Sequence, residues 1–222
     1  ALDDLKGVVK VVQSATSRSV EIVGSLKSFS RAPAGAVPTD IHEGLKETLS
    51  LLRHRIKQGG IEVIEVLGDL PRVTCRGGEI NQVFMNLLTN AIQAAVAHHG
   101  HGGGRIEVVT VTDGTTAEIS ISDNGAGVPA ELKRRIFDPF FTTKARGEGT
   151  GLGLSISSEI VRRHGGTLRI ETAENLGRGA RFVFTLPVVP PPSGPRHSVK
   201  DLRGALAVEH SETQSTPHPE AM

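Results

Sequence analysis

The sequence predicts an α/β domain with a long helix ahead of it. Three observations carry this. Apolar residues recur at three- and four-residue spacing from Ile80 to Ala95, short β-rich runs flank that stretch, and a separate apolar seam occupies Leu5 to Phe29. The first and third are helical periods, and the runs between are strand-like in length and composition. At 222 residues with 37% apolar content, the chain can bury one good core and still leave extended structure over.

Composition narrows the function. The net charge of +1, from 25 basic and 24 acidic residues, gives no electrostatic footprint for nucleic acid and no basic face for a membrane. Seven Phe with no Trp or Tyr offer few base-stacking platforms. A single cysteine, Cys75, makes neither an intrachain disulfide nor a Cys-rich metal site and fits a reducing compartment. No apolar run approaches the roughly 18–20 residues that cross a bilayer, and no signal-peptide pattern opens the chain. A cytoplasmic location is expected. The start at Ala1 reads as a fragment, with any membrane or sensory part outside it.

In chain order, Leu5, Val8, Val12, Ala15, Ser19, Ile22, Leu26 and Phe29 form a heptad seam that asks for a partner helix, so 1–31 reads as a dimerisation helix. The Pro- and Gly-rich residues 32–38 break it and read as a linker. Thr39-Asp40, with Glu43 three residues on, looks like a capping box opening a helix through Ile41, Leu45, Leu49, Leu52 and Ile56. Gly59-Gly60 ends that helix. Strands are expected at Ile61–Leu67 and Leu70–Cys75, the second an edge because of Pro71.

The central helix follows. Beside its apolar stripe, Glu79, Gln82, Asn86, Asn90 and Gln93 also recur at three and four. Asn is a mediocre helix former, so two of them one turn apart ask for a reason. They read either as oxygen ligands for a hard cation such as Mg²⁺ or as a solvated helix flank. His98, His99 and His101 fall in a Gly-rich loop without fixed spacing or a supporting carboxylate, which argues against a metal site. Arg105–Thr112 and Ala117–Ser122 read as a hairpin around Asp113-Gly114. A short helix near Glu131–Ile136, a helix from Gly153 to His164, and strands at Thr167–Glu171 and Ala180–Leu186 complete the domain to residue 187. The polar tail 188–222 is expected to be disordered.

Three further segments carry chemistry. Asp123-Asn124-Gly125-Ala126-Gly127 ends a strand in a carboxylate where backbone can approach closely; it suits an exocyclic amine, or is an ordinary Asx turn. Phe137 to Lys144 groups three Phe that can anchor a lid and one Lys for phosphate charge, or is core Phe beside a solvated Lys. Gly147 to Ile156 is glycine-rich and opens a helix, so its free N–H groups can hold an anion. It lacks the Gly-Lys-Ser/Thr of a P-loop and the spacing of a dinucleotide fingerprint.

Together and in this order these segments closely resemble the ATP-binding domain of sensor histidine kinases. Asn86-Leu87-Leu88-Thr89-Asn90-Ala91 looks like the family's N box, Asp123 to Gly127 its first Gly box, Phe137 to Lys144 its F box, and Gly149 to Leu154 its second Gly box. Glu21-Ile22-Val23, Leu26 and Phe29-Ser30-Arg31 look like the end of the second helix of the dimerisation hairpin. The resemblance implies a Bergerat-type (GHKL) α+β sandwich, a mixed sheet covered by helices, over 39–187. By position, Asn86 and Asn90 would hold Mg²⁺ against the phosphates, and Asp123 would bind the adenine amine, with Gly125 and Gly127 shaping the purine site. Lys144, with Arg146, would face the terminal phosphates, and Asn86 and Lys144 are the expected catalytic pair. Gly149, Gly151 and Gly153, with Thr143, Thr150 and Leu152, would line the phosphates.

The resemblance also implies the activity. The γ-phosphoryl of ATP would pass to a histidine on a dimerisation helix, then to an aspartate of a response-regulator receiver domain, within a homodimer formed through the N-terminal helix. The acceptor helix is expected outside this chain. His42-Glu43 lacks the following Pro and fits a capping turn, His54 looks solvated, and His164 fits a helix C-terminus. The alternatives are an ATP-driven clamp of the gyrase or chaperone kind, which carries a Glu base where Asn86 stands, and a non-catalytic ATP-binding interaction module.

Overall fold

The structure, a computed structural model, describes residues 35–144, 149–177 and 179–188. The expected dimerisation helix 1–31, Arg146 and the tail beyond Val188 lie outside the described residues.

Asp40 starts the first helix as expected: its Oδ1 accepts from the backbone N–H of His42 at 2.9 Å and of Glu43 at 3.3 Å. That satisfies two of the donors a helix start leaves open. The helix, α1 (Ile41–Gly59), ends where the Gly60 N–H returns to Ile56 O and Lys57 O. It follows β1 (Val37–Thr39) and leads into β2 (Ile61–Leu67) and β3 (Val73–Cys75). The central helix is α2 (Gly77–His99), followed by β4 (Gly104–Thr112) and β5 (Thr116–Asp123). Last come α3 (Gly153–Arg163), β6 (Leu168–Ala173) and β7 (Gly179–Pro187).

Five strands make one sheet in the order β2-β4-β5-β7-β6, parallel between β2 and β4 and antiparallel elsewhere. The three helices of the described residues cover it, giving the mixed-sheet α+β sandwich. Its core is the α2 stripe: Ile80, Val83, Phe84, Leu87, Leu88, Ala91, Ile92 and Ala95 are all buried. They face Ile106, Val108, Ile119, Ile121, Phe182 and Phe184 of the sheet within one apolar cluster. Phe84 meets Phe184 edge to face, ring centres 5.6 Å apart, and burying each large side chain stabilises the fold by about 1.5–3 kcal/mol.

Three local readings change. Val37 and Pro38, assigned to the linker, belong to β1, which pairs antiparallel with β3 from Val37↔Cys75 to Thr39↔Val73. The strand expected from Leu70 begins only at Val73, beyond Pro71, and joins β1 rather than the main sheet. The helix expected near Glu131–Ile136 is two single 3₁₀ turns, Ala130–Leu132 and Arg135–Phe137.

His164 does close α3, as expected, but as a bridge. Its Nδ1 lies 2.8 Å from Ile160 O, and Nε2 accepts the Arg76 backbone N–H at 3.1 Å, capping the start of α2. With Nε2 accepting, the ring proton sits on Nδ1. Among the described residues no helix is long and apolar enough to cross a membrane.

Candidate nucleotide site

The site is built where the C-terminal end of β5 meets the polar edge of α2. Side chains alternate along a strand, so Asp123 shares a face with Ala117, Ile119 and Ile121, the face turned to the helices. It is 1% exposed. Its Oδ1 accepts from Gly125 N–H at 2.8 Å and Ala180 N–H at 3.4 Å. Burial pushes the Asp123 carboxyl up from its ordinary pKa, and the two N–H donors pull it part of the way back. The bond to Gly125 is the Asx turn that the sequence allowed, but it uses one oxygen. Both donors reach Oδ1, which leaves Oδ2 for a donor from outside. Gly125 is required by space: a Cβ there would lie 2.9 Å from Ala94 of α2. Gly127, two residues on, has a positive φ of 74°.

One turn apart on α2, Asn86 and Asn90 face two different segments. The Asn86 amide nitrogen donates to Gly153 O and to Ser157 Oγ, each at 3.0 Å. Its Oδ1 accepts from Gln82 Nε2 at 3.3 Å. Asn90 Oδ1 accepts from Lys144 Nζ at 3.1 Å, and Gln93 Oε1 accepts from the same ammonium. Lys144 is itself steadied by its backbone N–H donating to Thr142 Oγ1 at 3.2 Å. Thr143, between them, is exposed.

The second glycine segment packs on this loop and opens α3. Gly149 lies against Thr142 and Lys144. Thr150 Oγ1 accepts from Leu152 N–H at 3.4 Å. Leu152 sits at the cap position, its carbonyl accepting from Ile156 N–H at 3.0 Å. Gly151 adopts φ 68°, and a Cβ on it would strike the Phe140 backbone, whose N–H donates to Gly151 O at 2.9 Å. Phe140 itself has φ 66° and is 74% exposed, the one positive-φ residue other than glycine among those described. Such a conformation at a bulky side chain marks a held, strained loop.

The structure therefore brings Asn86 to Gly153, Asn90 to Lys144, and Gly149 to Lys144. Among the described residues, the Asp123 side chain bonds only to Gly125 and Ala180, so the site has a buried polar end and a charged, open end. Two residues outside the expected set touch its members, Gln93 at Lys144 and Ser157 at Asn86. Gln93 was visible as a rung of the polar ladder. Ser157 left one faint signal, a hydroxyl four residues after Gly153.

Three other described histidines bond away from this site. His99 Nε2 lies 2.9 Å from Asn124 O and His101 Nδ1 3.0 Å from Gln58 O, fastening the loop after α2. His42, in the first turn of α1, has Nε2 2.9 Å from Thr110 Oγ1 of β4.

Residues 77–190, about half the chain, match the family model described as histidine kinase-, DNA gyrase B- and HSP90-like ATPase. The chain is 42% identical over 175 residues to the two-component sensor PprA of Pseudomonas aeruginosa, covering 77% of this chain and 18% of that protein. It is 40% identical over 147 residues to the signal transduction histidine-protein kinase AtoS of Escherichia coli K12, covering 66% of this chain and 23% of that protein. It thus spans about a fifth of the length of these relatives. Among solved structures, the catalytic domain of histidine kinase ThkA overlays with a TM-score of 0.59 at 36% identity, covering 67% of this chain and 95% of that one. ThkA in complex with the response regulator protein TrrA overlays with a TM-score of 0.67 at 28% identity, covering 84% and 52%. The chain belongs to the histidine kinase-, DNA gyrase B- and HSP90-like ATPases, and its ATP-binding domain is that of a sensor histidine kinase of the two-component type.

Proposed function

We propose that this chain carries the phosphoryl-donor core of its kinase: it binds Mg-ATP and passes the γ-phosphoryl to a histidine on a dimerisation helix, for relay to a receiver-domain aspartate. The proposal includes a homodimer through residues 1–31 and a cytoplasmic location. The observation that carries it is the convergence at the open end. Asn86 meets Gly153 across 67 residues and Asn90 meets Lys144 across 54, so amide oxygens, an ammonium and helix-start N–H groups gather at one place.

The residues present suit a hard cation, because Asn90 Oδ1 and Gln93 Oε1 already face a positive charge, the Lys144 ammonium. Asn86 and Asn90 would hold Mg²⁺, which when bound supplies charge neutralisation beside the phosphates. Asp123 Oδ2 accepts the adenine amine, and Gly125 and Gly127 let the purine approach. Lys144 and the N–H groups of Gly149, Gly151 and Gly153, with Thr143, Thr150 and Leu152 beside them, orient the terminal phosphates. Phosphoryl transfer asks for positioning more than covalent help. A water nucleophile would need a base, and position 86 offers an amide instead of a carboxylate.

The test incubates the full chain with γ-labelled ATP and a separate hairpin carrying a His-Glu-x-x-x-Pro segment. Acid-labile, base-stable label on the hairpin supports donor activity. Steady ATP hydrolysis with no labelled hairpin would instead make this a clamp, and nucleotide binding with neither would make it an interaction module.

A further inference from the structure

Asn86 cannot serve a cation with either end of its amide. Only the oxygen ligates, and a free carboxamide flips readily between its two orientations. Two acceptors on α3 decide which end faces where. Gly153 O has no proton, so whatever lies 3.0 Å from it on Asn86 must be the nitrogen. Ser157 Oγ is the second acceptor, also at 3.0 Å, and its own proton is committed to Gly153 O at 2.8 Å. Serine often bonds back to the carbonyl four residues earlier in a helix. Here that bond does more, because it turns the hydroxyl's lone pairs towards α2.

Ser157 is fully buried at 0% exposure, so water does not compete for the hydroxyl. With nitrogen fixed on α3, Asn86 Oδ1 is turned away from it and carries one long bond, from Gln82 Nε2 at 3.3 Å. That contact is weak and leaves a lone pair for a stronger partner.

We infer that Ser157 is a positioning residue for the nucleotide-bound metal: it pins the Asn86 amide so that the oxygen, not the nitrogen, faces the phosphates. The inference rests on the proposed Asn86–Mg²⁺ role and adds a buried hydroxyl on the opposite helix to it. Outer groups that orient a ligand commonly affect metal affinity by about tenfold.

The experiment compares nucleotide affinity of the full chain in Mg²⁺ and in EDTA by titration calorimetry, for the unchanged chain, Ser157→Ala, Ser157→Thr, Asn86→Ala and the Ser157→Ala/Asn86→Ala pair. Far-UV circular dichroism confirms that each is folded. Ser157→Ala is expected to leave affinity in EDTA within about twofold while the gain from Mg²⁺ falls about tenfold. Ser157→Thr, which keeps the hydroxyl, is expected to restore the gain. Ser157→Ala is expected to add nothing once Asn86 is Ala, since it acts through that amide. Equal weakening with and without Mg²⁺, or full retention of the Mg²⁺ gain, overturns the inference and leaves the donor reading standing. An unchanged chain that binds no nucleotide, or gains nothing from Mg²⁺, overturns both.

Discussion

Lys144 closes back onto α2, its Nζ 3.1 Å from Asn90 Oδ1. A loop lysine thus rests on the amide oxygen proposed to hold Mg²⁺. Lys144→Ala is expected to weaken ATP by about tenfold or more, the scale of a charge-assisted hydrogen bond. AMP should lose little, because the ammonium's work is at the terminal phosphates. Titrations with AMP, ADP and ATP check this, and an equal loss for all three would assign Lys144 to loop structure alone.

Asn90→Ala should weaken Mg-ATP far more than metal-free ATP. Asn86→Ala should act in the same direction, less strongly, since Asn86 also spends its nitrogen on Gly153 and Ser157. Chelating Mg²⁺ should erase the difference between either variant and the unchanged chain.

Asp123 gives a prediction with opposite signs for binding and stability. Its carboxyl is raised by burial, so the folded chain takes up that proton more readily than the unfolded one. In its ionised form it therefore destabilises the fold, and the penalty is relieved as pH falls through its raised folded value. Asp123→Asn keeps an oxygen for Gly125 and Ala180 and removes the charge. Its melting temperature at pH 7 should match or exceed that of the unchanged chain, the gap closing in acid, while ATP binding is lost. Calorimetry with ATP and GTP and melting across pH check both halves. Unchanged ATP affinity would remove Asp123 from the site.

Gly151→Ala should displace the loop, because the new methyl meets the Phe140 backbone and the residue must hold φ 68°. A cost of about 1–3 kcal/mol is expected for forcing such a conformation on alanine. Because the loop is peripheral to the α2 core, ATP affinity should fall while the melting temperature moves little.

Removing residues 1–31 should turn a self-associating species into a monomer that still binds ATP. Light scattering at several concentrations checks this, and a monomeric undeleted chain would rule out the heptad seam as the dimer interface.

Much of this was legible because it is local. The α2 stripe read from spacing is the buried set residue for residue, and the Asp40 cap was visible because its donors lie two and three residues away. The boxes named residues that the fold brings together, Asn86 with Gly153 and Asn90 with Lys144. They did not give its bonds. Nothing near Ser157 in sequence reveals that it meets Asn86, 71 residues earlier. Likewise Val37-Pro38 read as part of a breaker, because a three-residue strand owes its existence to a partner, β3, 36 residues away. Short strands and amide orientations are set by distant groups, and periodicity is blind to them.

The placement of β5 has a further consequence. It is the middle strand, braced by β4 on one side and β7 on the other, and Asp123 is its last residue. Lys144 and Gly149 to Leu152 instead hang on the connection between β5 and α3. On the proposed roles, the base of the nucleotide is read from masonry and its charge from a connecting loop. Substitutions in the connection are then expected to retune phosphate handling while purine choice stays as it was. Any change in purine choice has to be cut into the framework itself, where it is felt by the whole sheet.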